Sequence, residues 1–359
     1  MRFDSFSMSP KKTRVPLKSL VTAVFIFALV GAICAQKPAA TPASTPRPTG
    51  TPIEESAGAT KVFEVRLPVT VVDRTKEKKD RKNALVSGLT RGDFQVLEDG
   101  VPQEVTFFSD ESTNPPVYVG VLMDTSPSTA GKLTFEKEAA ANFIYSVLQL
   151  RKDKAAFMTF DHEVLLRQDF TDKLDLLQKA VDKVGKTGSQ TALYDAIWQF
   201  TDEKLRSVPG RKVIVVITDG DDTFSRADMN DVIDLAQRTE TTIFAISTKG
   251  GFLGSVPGVE AGSVKDKGDK VLTDLCEATG GTAFFPINSA KNQMLDLELA
   301  FRGISDELKK QYVLTYRPAN QELDGRVRKI EIRFANADKA KDYRIRTKTS
   351  YRALRDTLK

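Results

Sequence analysis

The sequence predicts an α/β protein, a doubly wound and mostly parallel sheet, flanked by a β-sandwich that strands on both sides of it build together. Three observations carry this. The uninterrupted apolar runs VYVGVLM (117–123) and VIVVI (213–217) have the character of parallel strands covered on both faces. Amphipathic helical stripes alternate with such runs. Period-two segments lie before and after that alternation.

Residues 1–35 hold Arg2, Lys11, Lys12, Arg14 and Lys18 against Asp4 alone, and end in an apolar run closing on small residues. That is the layout of an export signal, with cleavage expected after Ala35; Ile33 before Cys34 argues against a lipoprotein site. Uncleaved, the run would be a membrane anchor if tilted. Either way the remainder is expected outside the cytoplasm: in the periplasm, the cell envelope or the extracellular space. Residues 36–60 are rich in Pro, Thr, Ala and Ser and lack apolar periodicity, so they read as a disordered tether.

Residues 61–112 form a β module. VFEVRLPVTVVD alternates apolar with polar, and DFQVLEDGVPQEVTFF gives two more strands around Asp99 and Gly100. The charged run RTKEKKDRKN between them reads as a solvated loop. The α/β part spans 116–310, with further strands at AAFMTF (155–160), TIFAIS (242–247) and TAFFP (282–286). Helical stripes run through Phe135, Ala139, Phe143 and Val147; through Leu174, Leu177, Val181 and Val184; and through Leu193, Ile197 and Phe200. Met229, Val232, Ile233 and Ala236 make a fourth, and Met294, Leu297, Phe301, Ile304 and Leu308 a fifth. Strand alternating with helix implies right-handed crossovers. In 311–356, QYVLTYRP, RKIEIRF and YRIRTKTSYRA return to period two, with a turn signal at Asp324-Gly325. These strands are expected to pair with the N-terminal module; the alternative is a hairpin extending the central sheet.

The net charge of +5 sits mostly in the leader, and beyond it 48 basic residues face 47 acidic ones. No footprint for nucleic acid remains. After cleavage Cys276 is the one cysteine left, so no intramolecular disulfide is expected; its neighbours Leu272, Leu275 and Thr279 place it in a core.

In open α/β sheets ligands bind beyond the carboxyl ends of the strands. Three oxygen-rich segments fall there: DTSPS with Asp124, Ser126 and Ser128, TGSQTALYDAI with Thr191, and TDGDD with Asp219. With one histidine, His162 in the turn FDHEV, and no thiolate nearby, a zinc site is excluded. Two carboxylates and three hydroxyls suit Mg²⁺, with Mn²⁺ or Ca²⁺ as alternates, and leave the ion electrophilic toward an acidic group on a partner. Taken singly, the segments read as a helix cap and a turn with Gly220; three together make a site. Asp221 and Asp222 either add negative potential at its periphery or begin the next helix, where Ser225 with Asp228 suggests a capping box. Tyr194 and Trp198 read as core, and the glycine-rich stretch 250–268 around Leu253 as a long loop.

The set Asp124, Ser126, Ser128, Thr191 and Asp219 resembles the metal-ion-dependent adhesion site (MIDAS) of von Willebrand factor type A (VWFA) domains, over roughly residues 116–310. The resemblance implies a Rossmann-like fold, with Ser126 and Ser128 touching the ion. It also implies that Thr191 does so at least in the ligand-bound form, and that Asp124 and Asp219 act partly through water. Family members often carry a small residue where Pro127 stands. With LPVTVVD, GLTRGDFQVLEDGVPQEVTFF and DGRVRKIEIRF the chain also resembles exported VWFA-related proteins of Acidobacteria.

Enzymatic alternatives fail on residues. A haloacid-dehalogenase phosphatase needs an aspartate where Ser126 stands. The phosphate-loop reading of Lys186 lacks its earlier glycine, replaced by Ala180. Ser255 lacks the nucleophile-elbow spacing. A hydrolase using the metal as Lewis acid has no visible base. The expected function is therefore non-catalytic binding of a protein or surface ligand through Mg²⁺, the alternative being an envelope scaffold with a purely structural metal.

Overall fold

The computed structural model describes residues 63–79, 84–129, 133–148, 153–185, 188–248, 267–285 and 293–354. The expected leader, the tether and most of the stretch 250–268 lie outside them. Among the described residues no helix is long and apolar enough to cross a membrane.

Strand β1 (Val65–Asp73) buries Leu67, Val69 and Val71 on one face, as its alternation requires. It runs into a short helix, α1 (Arg74–Lys79), where the charged run suggested a loop. The difference has a local cause: Asp73 Oδ1 accepts the N–H groups of Thr75 and Lys76 at 2.9 and 3.0 Å, capping a turn that sequence polarity alone does not reveal. Strands β2 (Phe94–Glu98) and β3 (Val101–Gln103) form a hairpin whose two loop residues, Asp99 and Gly100, both take positive φ, 48° and 83°. A tight two-residue hairpin favours this conformation. Strand β4 (Val105–Ser109) completes the N-terminal set.

The α/β part follows as β5 (Val117–Asp124), α2 (Leu133–Leu148), β6 (Lys154–Phe160), β7 (Val164–Thr171), α3 (Leu174–Asp182) and α4 (Leu193–Phe200). Next come β8 (Arg211–Thr218), α5 (Met229–Arg238), β9 (Thr241–Ser247), α6 (Lys267–Thr279), β10 (Ala283–Phe284) and α7 (Gln293–Lys310). The chain then returns to strands in β11 (Tyr312–Tyr316) and β12 (Val327–Phe334), a one-turn α8 (Lys339–Asp342), β13 (Tyr343–Arg346) and β14 (Ser350–Arg352).

The central sheet has the order β10-β9-β8-β5-β6-β7, parallel except for β7 at its edge. Successive residues of β5 point to opposite faces and both faces are covered, which is why the run is apolar throughout. Val119, Val121 and Met123 pack with α2, α3 and α7, where Phe143, Val181, Phe301 and Ile304 are buried. Leu122 packs on the other side with Ile197 and Phe200 of α4, Val232 of α5 and Cys276 of α6. Gly120 admits the Phe200 ring: a Cβ there would stand 2.1 Å from Phe200 Cε1.

Chain order reverses beside β5, which has β6 on one side and β8 on the other. The loops after β5 and β8 therefore leave in opposite directions and open a crevice at their carboxyl ends.

Two antiparallel sheets, β13-β1-β11-β4 and β14-β12-β2-β3, face each other. Leu67, Val69, Val71 and Leu314 of the first share one core with Val96, Ile330 and Tyr351 of the second. Strand β1 pairs with β11 and β13, and β2 with β12, so the strands before and after the α/β part form one sandwich. Within it Glu98 accepts from Tyr316 and Tyr351 at 2.5 and 2.9 Å and pairs with Arg328 at 3.3 Å, all four buried.

Candidate metal centre

Asp124 is the last residue of β5 and is fully buried. Its Oδ1 accepts the Ser126 N–H at 2.8 Å, and its Oδ2 accepts the Thr218 hydroxyl at 2.6 Å from the end of β8. One carboxylate thus ties together the two loops that flank the crevice. Burial raises its pKa to about 6; hydrogen bonds from Thr218 and Ser126 oppose the rise, and the charge of Asp219 adds to it.

Pro127 opens a 3₁₀ turn over Pro127–Thr129, suited to its fixed φ. The turn brings Ser126 Oγ and Ser128 Oγ to 3.0 Å, the first buried and the second exposed at the crevice. Asp219 follows Thr218 directly, is mostly buried, and accepts the Asp221 N–H at 3.2 Å. Gly220 has φ of 82°, and a Cβ there would stand 2.5 Å from the Gly268 carbonyl oxygen, so the chain turns there at a site closed to other side chains.

Thr191 is also mostly buried. Its N–H donates to Thr223 Oγ1 at 3.0 Å, and its carbonyl accepts the N–H groups of Thr223 and Phe224, both at 2.9 Å. The Thr191 loop is thereby pinned to the Asp219 loop, and the three oxygen-rich segments meet at one edge of the sheet.

Sequence reasoning missed Asp161. Its Oδ2 accepts the Thr125 hydroxyl at 2.9 Å, and its Oδ1 accepts the Glu163 N–H at 3.0 Å and faces His162 Nδ1 at 2.7 Å. Its carbonyl accepts the Ala192 N–H at 2.8 Å, while Thr125 O accepts from Gly188 at 2.8 Å. A Cβ on Gly188 would fall 2.2 Å from Asp161 Cγ. Asp161 therefore holds the Asp124 loop and the Thr191 loop at a fixed spacing. A signal was present: Asp161 follows AAFMTF much as Asp124 ends the neighbouring strand, and Asp124 pairs with Phe160 in register.

Asp222 is engaged elsewhere. Its Oδ1 accepts the N–H of Leu193 at 2.8 Å and of Tyr194 at 3.4 Å, together with the Ser225 hydroxyl at 2.6 Å. It caps α4 across space, since the preceding Ala192 has no side chain to do so. The expected box of Ser225 with Asp228 is corrected: Asp228 pairs with Asp231 to cap α5, because Ser225 lies too early and its hydroxyl serves Asp222 and the Asp195 N–H. Asp221 is exposed at the rim, as is Phe224, at 50%. Tyr194 packs against the core, whereas Trp198 is 37% exposed, more than a core reading allows.

Among the described residues no three His, Cys, Asp or Glu side chains gather into a metal site. An ion held here would take its remaining ligands from hydroxyls and water. The all-oxygen donor set fits magnesium, and a buried carboxylate whose neighbours are hydroxyls and a second carboxylate is short of positive charge.

Residues 119–296 match the von Willebrand factor type A domain family. The chain carries a VWA domain. Solved structures similar to it include an aerotolerance-related membrane protein from Bacteroides fragilis, 15% identical, covering 54% of this chain and 98% of that one with a TM-score of 0.41. The vWF domain of the type V pili tip protein Mfa5 from Porphyromonas gingivalis is 13% identical, covering 55% and 96% with a TM-score of 0.41. The proximal thread matrix protein 1 of the mussel byssus, with a zinc-occupied MIDAS motif, is 16% identical, covering 59% and 49% with a TM-score of 0.40. No curated protein matches the sequence. At such identities no ligand or partner passes from these structures to this VWA domain.

Proposed function

We propose that this chain is an exported, non-catalytic binding protein whose VWA domain holds Mg²⁺ at Ser126, Ser128 and Thr191, with Asp124 and Asp219 behind them. The bound ion would supply an electrophile for an acidic group on a protein or surface ligand. The observation that carries the reading is Asp124: a fully buried carboxylate, raised to about 6, beside paired serine hydroxyls and Asp219. Asp124 sets the position of Ser126 through the backbone, Asp161 sets the spacing of the loops, and Phe224 offers an apolar contact at the rim.

Calorimetric titration of Mg²⁺ into the native protein and Asp124→Ala tests the reading. The native protein is expected to bind with a finite heat that the variant lacks; equal binding by both would sink the assignment.

A second reading, a scaffold with a structural metal, has its own support. Val101 on β3 and Phe107 on β4, both edge strands of the sandwich, are 53% and 48% exposed. Partner capture that survives EDTA and is lost in Phe107→Ser would favour it over the metal-bridged mode.

A further inference from the structure

At the end of the VWA domain opposite the crevice, a cavity lies between β1 of the sandwich and the starts of β8 and β9. It offers about 30 Å³ to the centres of water molecules, against the roughly 10–15 Å³ that one ordered water needs. Its charged lining is Arg66, Arg211, Lys212 and Lys348 against a single carboxylate, Glu240.

Most of these groups have partners. Arg211 donates to the Leu308 carbonyl at 2.8 Å and to Gln311 Oε1 at 2.7 Å. Lys212 reaches the Arg206 carbonyl at 3.3 Å, and one end of Arg66 pairs with Glu240 at 2.9 Å. Lys348 does not. It is 5% exposed and lines the cavity, and its ammonium, which keeps contact with solvent, makes no hydrogen bond or ion pair among the described residues. Two further donors on lining residues, Arg66 Nε and Gln311 Nε2, are buried without a partner. Arg211 donates to the Gln311 oxygen, which leaves the amide N–H groups as the donors without a partner.

We propose that this cavity binds a dianionic oxyanion of the phosphate or sulfate class, held by Lys348, Arg66 Nε and Gln311 Nε2. Three donors without a protein partner suit a ligand that accepts from several directions. Water would satisfy donors but leave the excess positive charge uncompensated. A tetrahedral dianion presents acceptors in several directions at once, matching donors that arrive from β1, from the α7–β11 junction and from the β13–β14 connection. Burial pulls the Lys348 ammonium down to about 8, opposed by Glu240 and assisted by Arg66, the behaviour of a cation short of negative charge. A second cavity shares Arg66, Gln237, Glu240 and Lys348, leaving space beside the anion for the rest of an ester.

The full chain, in phosphate-free buffer with EDTA at constant ionic strength, is titrated with sodium phosphate by calorimetry and thermal unfolding. Saturable heat and a rising Tm are expected from the native protein. Lys348→Met keeps the stem and drops the charge; it should start out more stable and bind phosphate about tenfold more weakly or worse. Glu240→Gln removes the repelling carboxylate and should tighten phosphate several-fold. Competition by glycerol phosphate assigns an ester-borne group, and competition by inorganic phosphate and sulfate alone a free ion. Equal phosphate responses in native and Lys348→Met, no saturable binding, or binding of acetate in preference to phosphate would each overturn the proposal.

Discussion

The two ends of the central sheet carry opposite charge problems. At the carboxyl ends of β5 and β8, two buried aspartates sit among hydroxyls. At the amino ends of β8 and β9, four basic residues of the cavity lining face one glutamate. The first end is built within the VWA domain from short contiguous segments, two after strands and one just before α4. The second is built where the domain meets the sandwich, from residues such as Arg66 and Lys348 that are far apart in the chain. Unbalanced buried charge is costly, and the two ends carry it with opposite sign, which is why the proposed ligands are of opposite sign.

The largest expected effect is at the acidic end, where Asp124→Ala should weaken Mg²⁺ binding by more than about 100-fold in a calorimetric titration. Asp161→Ala removes a group that spaces the loops without touching the ion and should cost about tenfold in Mg²⁺ affinity. Acidity gives a third test. With Asp124 raised to about 6, Mg²⁺ must displace a proton below that pH, so its affinity should fall as pH drops through 6. In EDTA the sign for stability is opposite. The folded state keeps a proton that the unfolded chain releases from about pH 4 upward, so stability from this group falls as pH rises from about 4 to 6. Asp124→Asn should lack that slope in Tm. Asp222→Ala should cost about 1 kcal/mol of stability through the lost α4 cap, measured by urea unfolding, while leaving Mg²⁺ affinity nearly unchanged. Smallest of all, Lys348→Met should leave Mg²⁺ binding within about 0.5 kcal/mol of native, as separate sites require; a larger coupling would mean that the two ends are one system.

Legibility in the sequence followed burial on both faces. VYVGVLM and VIVVI announced their strands, and the stripes of α3, α4 and α5 their helices, because each apolar position there faces a core. Strand β7 escapes the pattern: it lies at the sheet edge, none of its residues is buried, and Leu165 and Leu166 break the alternation. The oxygen-rich segments of the acidic end were readable because each is contiguous. Asp161 was not, since a lone carboxylate in a turn is common and its role depends on Thr125 and Gly188 from other loops. Lys348 was invisible for the same reason, amplified: nothing in RTKTSYR distinguishes a buried lysine from a solvated one.

The pairing of β1 with β11 has a consequence for the order in which the molecule is made. Val65 must wait for Tyr316, and Phe94 for Phe334, so until the VWA domain has followed them β1 has no paired strand and β2 only its hairpin partner β3. During that interval β1 and β2 present open edges, the kind of surface on which chains associate wrongly. Once the VWA domain folds, it carries the end of α7, and with it β11, back toward β1, replacing a long and entropically costly closure with a short one. Completing the sandwich therefore needs strands from both sides of the VWA domain, and β1 keeps its open edges until β11 and β13 are made.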